Sequence, residues 1–154
     1  LVHWPRGMKE SVWRSLESLV QDGQVKTIGI SNFSIEETEE LLSYCEIQPA
    51  INQVLFNPFT FDKAILEYSS RKGIALEGYK PLTRGEHIND TTIAALANKY
   101  NKTSAQILIR WNVEHGVITI PKSTHETRLR ENIDVFNFSL DAEDMETLDA
   151  LTTV

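Results

Sequence analysis

The regular alternation of short apolar runs with amphipathic helical segments is the feature that most constrains how this chain can fold. Runs rich in β-branched and aliphatic residues predict strands at residues 1–3, 27–30, 51–55, 74–77 and 117–120. Their apolar character is nearly continuous, which is typical of strands buried on both faces of a parallel sheet. Parallel strands joined by helices predict an α/β fold, either a (β/α) barrel or an open doubly wound sheet.

The helical segments between these strands have recognisable ends. Ser34 with Glu37, and Thr103 with Gln106, have the spacing of a capping box. Other helix starts are expected at Asp62, at Asn89 or Asp90, and at Asp141, and helix ends at Gly23, Gly73 and Gly116. The apolar stripes consist of Val12, Trp13, Leu16, Leu19 and Val20 in the first helix, and of Met145, Leu148 and Leu151 in the last.

Size, charge and cysteine content narrow the classes of function. The 154 residues fit one domain, and 22 acidic against 15 basic side chains give a net charge of -7. This charge disfavours nucleic acid as a partner, and no stretch approaches the roughly 20 apolar residues of a membrane span. Cys45 is the single cysteine, so we expect no intrachain disulfide and a reducing, cytoplasmic compartment. Leu1 and Val2 resemble the end of a strand already under way, so we expect a preceding segment.

Polar residues occur where the predicted strands end. They are His3, Ser31 with Asn32, Gln53 with Asn57, Tyr79 with Lys80, and Lys122 with Ser123. In a barrel the carboxyl ends of all strands converge on one mouth, where active sites lie. An open sheet gathers its ligand at one switch point, which only a few strands serve. The distribution therefore favours the barrel and leaves the open sheet as an alternative.

Common nucleotide, nucleophile and metal motifs are absent from the sequence. There is no G-x-G-x-x-G or Walker pattern, so a nucleotide bound here is held in another way. No G-x-S-x-G elbow is present. Cys45 and the four histidines, His3, His87, His115 and His125, lack the spacing of metal ligands, so we expect no metal site.

Two of the polar positions near the start of the chain have both a structural and a functional interpretation. His3 is expected in a buried strand, as a hydrogen-bonded core histidine or as a neutral donor that orients a carbonyl oxygen. Trp4 is either core or the wall of an apolar substrate pocket. Ser31 and Asn32 fit a turn before the Ser34 cap, or hydrogen bonds to an amide-bearing ligand.

The later polar positions allow the same two interpretations. Gln53 lies within an apolar run and must find partners, because an unpaired buried amide costs ~1–3 kcal/mol; the neighbouring Asn52 points to the opposite face. Tyr79 is a packing residue or a surface on which an aromatic ring stacks. Lys122, Ser123 and Arg128 are either a solvated surface or an anion site near a helix N-terminus.

Five segments, in order and with matching spacing over essentially the whole chain, resemble the aldo-keto reductases. They are LVHWP from Leu1, VKTIGISNF from Val25, the pair Asn52-Gln53, EGYKPL from Glu77, and IPKS from Ile120 followed by Arg128, Glu131 and Asn132. The resemblance implies a (β/α)8 barrel of the TIM-barrel class, of which this chain would cover about the last five strand–helix units as part of a single domain. It also implies NADP(H) as cofactor and a small carbonyl compound as substrate.

The resemblance implies a role for each matching residue. His3 would be the catalytic histidine that orients the substrate carbonyl, and Trp4 would wall the substrate pocket. The residues that would hold the cofactor are Ser31, Asn32 and Gln53 at the carboxamide, Tyr79 on the nicotinamide ring, Lys80 beside the pyrophosphate path together with Leu82, Lys122, Ser123 and Arg128 at the 2′-phosphate, and Glu131 and Asn132 near the adenine.

Three departures from the family pattern affect the expected function. The Asp, Tyr and Lys of the catalytic group belong to the family's N-terminal half, and Tyr44, Tyr68 and Tyr100 lie in predicted helices where they do not substitute. Lys80 stands where a serine is common in the family, beside the pyrophosphate path, and we expect the C-terminal loop that usually closes the substrate pocket to be missing or very short. The sequence thus predicts an NADPH-dependent carbonyl reductase partnered by the N-terminal half of its barrel; a non-catalytic NADPH-binding regulatory subunit and an inactive, self-associating half-barrel are alternatives.

Overall fold

A computed structural model describes residues 1–152 of the chain. Its helices are α1 (Glu10–Gln21), α2 (Ile35–Tyr44), α3 (Lys63–Lys72), α4 (Thr91–Tyr100), α5 (Ser104–Glu114), α6 (Glu126–Ile133) and α7 (Ala142–Asp149), and its strands are β1 (Ile30–Ser31), β2 (Ile51–Leu55), β3 (Ala75–Tyr79) and β4 (Ile118–Thr119). Short 3₁₀ turns occur at Pro58–Thr60 and Thr83–Gly85. The residues form two compact units: unit 1 is Leu1–Val54 with Asp62–Leu76, and unit 2 is Leu55–Phe61 with the residues from Glu77 onward.

Unit 1 contains a parallel sheet built on β1 and β2. Ile30 lies opposite Asn52 and Ser31 opposite Gln53, and Val2 forms an isolated parallel bridge to Ile30. Beyond β2, the Ala75 amide donates to the Ala50 carbonyl at 3.0 Å. The predicted strand over residues 27–30 is therefore wrong in its bounds, since regular pairing begins only at Ile30, and the predicted first strand is reduced to a single bridge.

The core of unit 1 lies between α1, α2 and the sheet. It contains Trp13, Ile28, Ile30, Phe33 and Leu41. The Trp13 indole donates to the Ile47 carbonyl at 3.0 Å, so this buried ring also has its polar atom paired. The predicted apolar stripe of α1 is wrong at Val12, which is 42% exposed, while Glu17 on the same helix is buried.

Local capping chemistry explains where the helices of unit 1 begin and end. The Ser34 hydroxyl accepts from the Glu37 amide, and the Glu37 carboxylate accepts from the Ser34 amide at 2.8 Å, so the predicted capping box is confirmed. Asp62 caps α3 by accepting from the amides of its first turn, and α3 ends at Gly73 in the left-handed conformation that glycine allows.

Unit 2 contains a second parallel pair, β3 with β4. Glu77 lies opposite Ile118 and Gly78 opposite Thr119, and the Phe56 amide donates to the Tyr79 carbonyl at 3.4 Å. The sheet is packed closely at Gly78, where an added Cβ would lie 2.9 Å from the Asn112 Oδ1 atom. Phe56 stacks on Trp111 of α5 with ring centroids 5.1 Å apart, so α5 packs against the segment of unit 2 that contains Phe56.

The three predicted helix starts in unit 2 are confirmed, and two of them have side-chain capping bonds. Asp90 caps α4, and Thr103 with Gln106 forms the capping box of α5. Asp141 holds the N-cap position of α7, so the predicted helix start is confirmed, but its side chain makes no capping bond and instead accepts from Lys99 Nζ at 3.2 Å. A nearby lysine competes successfully for this carboxylate. In the described part of the chain, no helix has the length and apolar character needed to cross a bilayer.

Candidate functional site

Four of the predicted site residues meet in unit 1 beyond the paired ends of β1 and β2. The buried Ser31 hydroxyl donates to the Gln53 carbonyl at 2.8 Å, and the Asn32 amide donates to the same oxygen at 2.9 Å. The Asn32 side-chain nitrogen lies 3.1 Å from both the His3 carbonyl and the Ser31 Oγ atom. Asn32 has φ 61°, a left-handed conformation that asparagine tolerates better than most residues. Main-chain and side-chain bonds thus fix this cluster.

The structure corrects the expectation that His3 lies in a buried strand. His3 is exposed and follows the single bridge at Val2, and its main-chain oxygen, not its ring, holds it to Asn32. Its ring lies 5.7 Å from the ring of Trp4, which is 54% exposed. The interpretation of His3 and Trp4 as core residues is therefore wrong, and both aromatic rings are accessible to a ligand.

The amides of β2 lie on opposite faces, as the strand period predicts. Asn52 is 1% exposed and donates from its side chain to the Phe33 carbonyl at 3.0 Å. Gln53 is half-buried and alternates with it along the strand. Asn52 therefore ties β2 to the segment after β1, and Gln53 is the amide that shares the other face with Ser31.

In unit 2, the segment after β3 has an unusual backbone. Lys80, Thr83 and Arg84 have φ values of 54°, 50° and 56°, in the left-handed region that side chains with a Cβ rarely occupy. Three such residues within five positions indicate a segment held by its surroundings. Tyr79 and Leu82 are half-buried, whereas Lys80 is exposed with its ammonium 5.5 Å from the centroid of the Tyr79 ring.

The predicted anion site lies around the start of α6. Lys122 and Arg128 are exposed, and the His125 amide donates to the Ser123 hydroxyl at 3.1 Å. His125 holds the N-cap position without a side-chain bond to the helix. Within residues 1–152, neither Lys122 nor Arg128 has a carboxylate in ion-pair distance. Two cations beside a helix N-terminus provide the charge that a phosphate requires.

Asn132 supplies an observation that tests whether a nucleotide fits. It is 8% exposed, and its side-chain nitrogen has no hydrogen-bond partner among the described residues. An unpaired buried donor costs ~1–3 kcal/mol, which a ligand acceptor would recover. The neighbouring Glu131 accepts from the Thr103 hydroxyl at 2.6 Å and so fixes α6 to the start of α5. The donor set of α6 fits an adenine nucleotide.

Sequence reasoning missed a small cavity in unit 2. Its volume is about 170 Å³, and it is lined by Leu55, Asn57, Phe59, Thr60, Lys80, Thr83, Arg84, Glu86 and His87. The His87 ring stacks on Phe59 with centroids 3.9 Å apart. The cavity is smaller than the roughly 300–1,000 Å³ of drug-sized ligand sites. The signal available in the sequence was the run of Thr83, Arg84 and Gly85 shortly after the end of β3.

A Tyr, Lys and Asp cluster does occur in unit 2, but its chemistry is unsuited to proton donation. The Tyr100 phenol donates to the buried Asp144 carboxylate, and Lys99 Nζ lies 2.7 Å from the same oxygen. Burial, followed by the Asp144 carboxylate, raises the pKa of Tyr100. A general acid near neutral pH needs the opposite shift. The group therefore acts as a clamp between α4 and α7.

The other helical tyrosines are no better placed. Burial and the Glu39 carboxylate raise the pKa of Tyr68 to about 12, and burial with Glu40 raises that of Tyr44. The described residues also contain no group of three or more His, Cys, Asp or Glu side chains that could hold a metal ion. Tyr44, Tyr68 and Tyr100 therefore lack the lowered pKa that a general acid near neutral pH needs.

Comparison with known proteins identifies the family. The model of the aldo/keto reductase family matches residues 1–153. The chain belongs to the aldo/keto reductase family. It is 45% identical to glyoxal reductase of Bacillus subtilis over 152 residues, which cover 98% of this chain and 55% of that protein. The resemblance inferred from the sequence is thereby confirmed.

Solved structures confirm the fold class of this aldo/keto reductase chain. A mutant of Gox0644 in complex with NADPH matches with a TM-score of 0.93 and 37% identity, over 98% of this chain and 57% of that one. Bombyx mori aldo-keto reductase in complex with NADP matches with a TM-score of 0.87 and 34% identity, over 93% and 50%. The chain spans about half the length of these relatives and has the fold of the corresponding part of the aldo-keto reductase (β/α)8 barrel.

Proposed function

We propose that this chain provides most of the cofactor site of an oxidoreductase that reduces aldehydes or ketones to alcohols with NADPH. The observation that carries the proposal is the unpaired, buried Asn132 amide on the helix that presents Arg128, with Lys122 shortly before it. Amide and cations are the donor set for an adenine ring and a 2′-phosphate. The relatives support the cofactor, since two of the solved neighbours contain NADPH or NADP.

Each predicted site residue has a part in this proposal. Lys122, Ser123 and Arg128 bind the 2′-phosphate, while Glu131 and Asn132 hold the adenine. Ser31, Asn32 and Gln53 orient the nicotinamide carboxamide, Tyr79 stacks on the ring, and Lys80 and Leu82 border the cofactor. The bound cofactor supplies a hydride to the carbonyl carbon.

The remaining steps concern the substrate. The exposed His3 imidazole donates a hydrogen bond to the carbonyl oxygen and so orients it, while Trp4 covers the apolar part of the substrate. The oxygen receives a proton when the hydride reaches the carbon. We assign that proton to a tyrosine of an N-terminal half of the barrel, with its aspartate and lysine. This assignment rests on the family resemblance and on the raised pKa values of Tyr44, Tyr68 and Tyr100.

The experiment is to follow NADPH oxidation by the protein purified in the form in which its natural source produces it, with a reactive aldehyde such as glyoxal as substrate. Turnover that falls at least tenfold in a His3→Ala variant, with unchanged NADPH binding, is the expected result. NADPH binding without turnover of any aldehyde or ketone would instead favour the second candidate, a non-catalytic NADPH-binding subunit. The raised pKa values of Tyr44, Tyr68 and Tyr100 favour this second candidate, because a phenol with a raised pKa is a poor proton donor near neutral pH. Failure to bind NADPH at all would contradict both.

A further inference from the structure

Lys80 is placed unusually close to the aromatic ring of its neighbour Tyr79. Its ammonium lies 5.5 Å from the ring centroid, within the range of a cation–π interaction. The backbone at Lys80 is left-handed with φ 54°, and the Lys80 carbonyl accepts from the Thr83 amide at 3.0 Å. A strained main chain held by this bond therefore directs the lysine toward the ring.

Among the described residues, no carboxylate lies within ion-pair distance of the Lys80 ammonium. The carboxylate that shares the cavity lining, Glu86, lies outside ion-pair distance of it, and Arg84 in the same lining adds a second cation. The charged side chains that line this cavity are therefore two cations, Lys80 and Arg84, and one carboxylate, Glu86.

We propose that Lys80 sets the preference of this site for the reduced over the oxidised cofactor, an inference that rests on the proposed stacking of nicotinamide on Tyr79. The nicotinamide ring carries a positive charge in NADP⁺ and none in NADPH. An ammonium over the Tyr79 ring repels the charged form and competes for the negative face of the aromatic ring. The neutral form meets neither cost. NADPH is thus favoured before reaction, and NADP⁺ leaves more readily afterwards.

A ratio of two affinities separates this effect from contact with phosphate. NADP⁺ and NADPH have the same phosphate groups, so a lysine that binds pyrophosphate changes both dissociation constants alike. A lysine that acts through Tyr79 changes only the constant for NADP⁺. The ratio of the two dissociation constants, NADP⁺ over NADPH, therefore reports the ring interaction alone.

The test is to measure both dissociation constants by fluorescence titration for the natural protein and four variants. In Lys80→Met the ratio is expected to fall roughly 2- to 5-fold, because exposed cation–π pairs have strengths of this order. Lys80→Asn, which tolerates the left-handed backbone, is expected to behave in the same way. Lys80→Arg keeps the charge and should keep the ratio. Lys72→Met is the matched control, since Lys72 Nζ lies 5.6 Å from the centroid of the Tyr68 ring.

Raising the salt concentration should reduce the difference between the natural protein and Lys80→Met, because an exposed charge is screened. An unchanged ratio in both neutral variants would overturn the inference, and so would equal weakening of NADP⁺ and NADPH. If the natural protein binds neither cofactor, the proposed function fails and this inference fails with it. If it binds both and only the ratio is insensitive to Lys80, the proposed function stands alone.

Discussion

The Glu17 carboxylate accepts a hydrogen bond from the Ile47 amide at 2.8 Å, across 30 residues of chain. The same oxygen accepts from the Glu46 amide at 2.7 Å, and Arg14 approaches the other oxygen at 3.1 Å. Glu17 is 2% exposed. One charged side chain on α1 thereby satisfies two main-chain amides of the segment that leads into β2, which is the strand that carries Gln53.

Replacing Glu17 by Gln is expected to lower the free energy of unfolding by ~1.5–3 kcal/mol at pH 7, the usual range for bonds to a charged group. The amide retains an acceptor oxygen but loses the charge and presents a donor toward Arg14. Urea denaturation measures the change. Glu40→Gln is the control, because Glu40 is an exposed glutamate of α2 in the same unit.

The same substitution should remove part of the acid sensitivity of unit 1. Burial raises the pKa of Glu17. The hydrogen bonds from the Ile47 and Glu46 amides and the charge of Arg14 lower it by more than burial raises it, so the pKa is lowered overall. A carboxylate whose pKa is lowered on folding stabilises the folded state at pH values above its unfolded pKa of 4.5. This contribution is lost as the pH falls and the carboxylate becomes protonated. The difference between natural protein and Glu17→Gln should therefore shrink below about pH 4.5. A difference that stays constant from pH 7 to pH 3 would contradict this.

Gly29→Ala is expected to destabilise unit 1 strongly. A Cβ at this position would lie 2.5 Å from Ile51 Cγ2 and 2.8 Å from the Ile51 carbonyl oxygen, which is fixed in β2. Overpacking of this kind costs ~1–3 kcal/mol or more. Gly23→Ala is the control: Gly23 has φ 71° and nothing within 4 Å of the added carbon, so only the backbone cost of ~1–2 kcal/mol applies. A thermal melt in which Gly23→Ala is the less stable variant would refute the expectation.

Arg128→Ala is expected to weaken NADPH binding at least tenfold and to leave NADH binding nearly unchanged. The reason is that only NADPH has a 2′-phosphate, and a charge-assisted bond contributes ~1.5–3 kcal/mol. Fluorescence titration with both cofactors measures this. Arg130→Ala is the control, because Arg130 is on the same helix and is paired with Glu126 at 2.8 Å. Equal loss for NADPH and NADH would place Arg128 outside the phosphate site.

The sequence predicted those features of the chain that depend on local chemistry. Helix starts at Ser34, Asp62, Asp90 and Thr103 follow from side chains that bond amides two or three residues away. The (β/α)8 fold class was predicted from short segments as well, namely the five that resemble the aldo-keto reductases. Asp141 also begins its helix as predicted, but its carboxylate makes no capping bond and accepts instead from Lys99, 42 residues earlier.

Long-range partners explain what could not be predicted. The burial of Glu17 depends on amides 29 and 30 residues away, so the helical pattern of α1 alone gives no sign of it. The left-handed backbone of Lys80 is equally hidden, because lysine rarely adopts it without support from its surroundings. At the candidate site, the residue types could be identified from the sequence. That the side-chain nitrogen of Asn132 is buried without a hydrogen-bond partner could not, because it depends on how α6 packs.

The last prediction concerns the polypeptide of residues 1–154 made by itself. Unit 2 exposes large apolar side chains, with Ile133 and Phe136 each 72% exposed at the end of α6 and just beyond it, and Ile118 48% exposed in β4. Covering apolar surface stabilises by ~25 cal/mol per Å², against a typical folding margin of ~5–15 kcal/mol. We therefore expect this polypeptide to self-associate through strand edges and apolar faces, and to show no aldehyde reduction, since the general acid is assigned elsewhere.

Dilution during a urea or thermal melt tests this expectation. The transition midpoint should rise with protein concentration, because association stabilises by mass action. A double variant, Ile133→Lys with Phe136→Ser, should reduce association, whereas Arg130→Ala on the same helix should leave it unchanged. A monomer by sedimentation with a cooperative, concentration-independent transition would show that the polypeptide is self-sufficient. In that case the exposed apolar side chains at Ile133, Phe136 and Ile118 reduce the free energy of unfolding by less than their apolar surface area predicts.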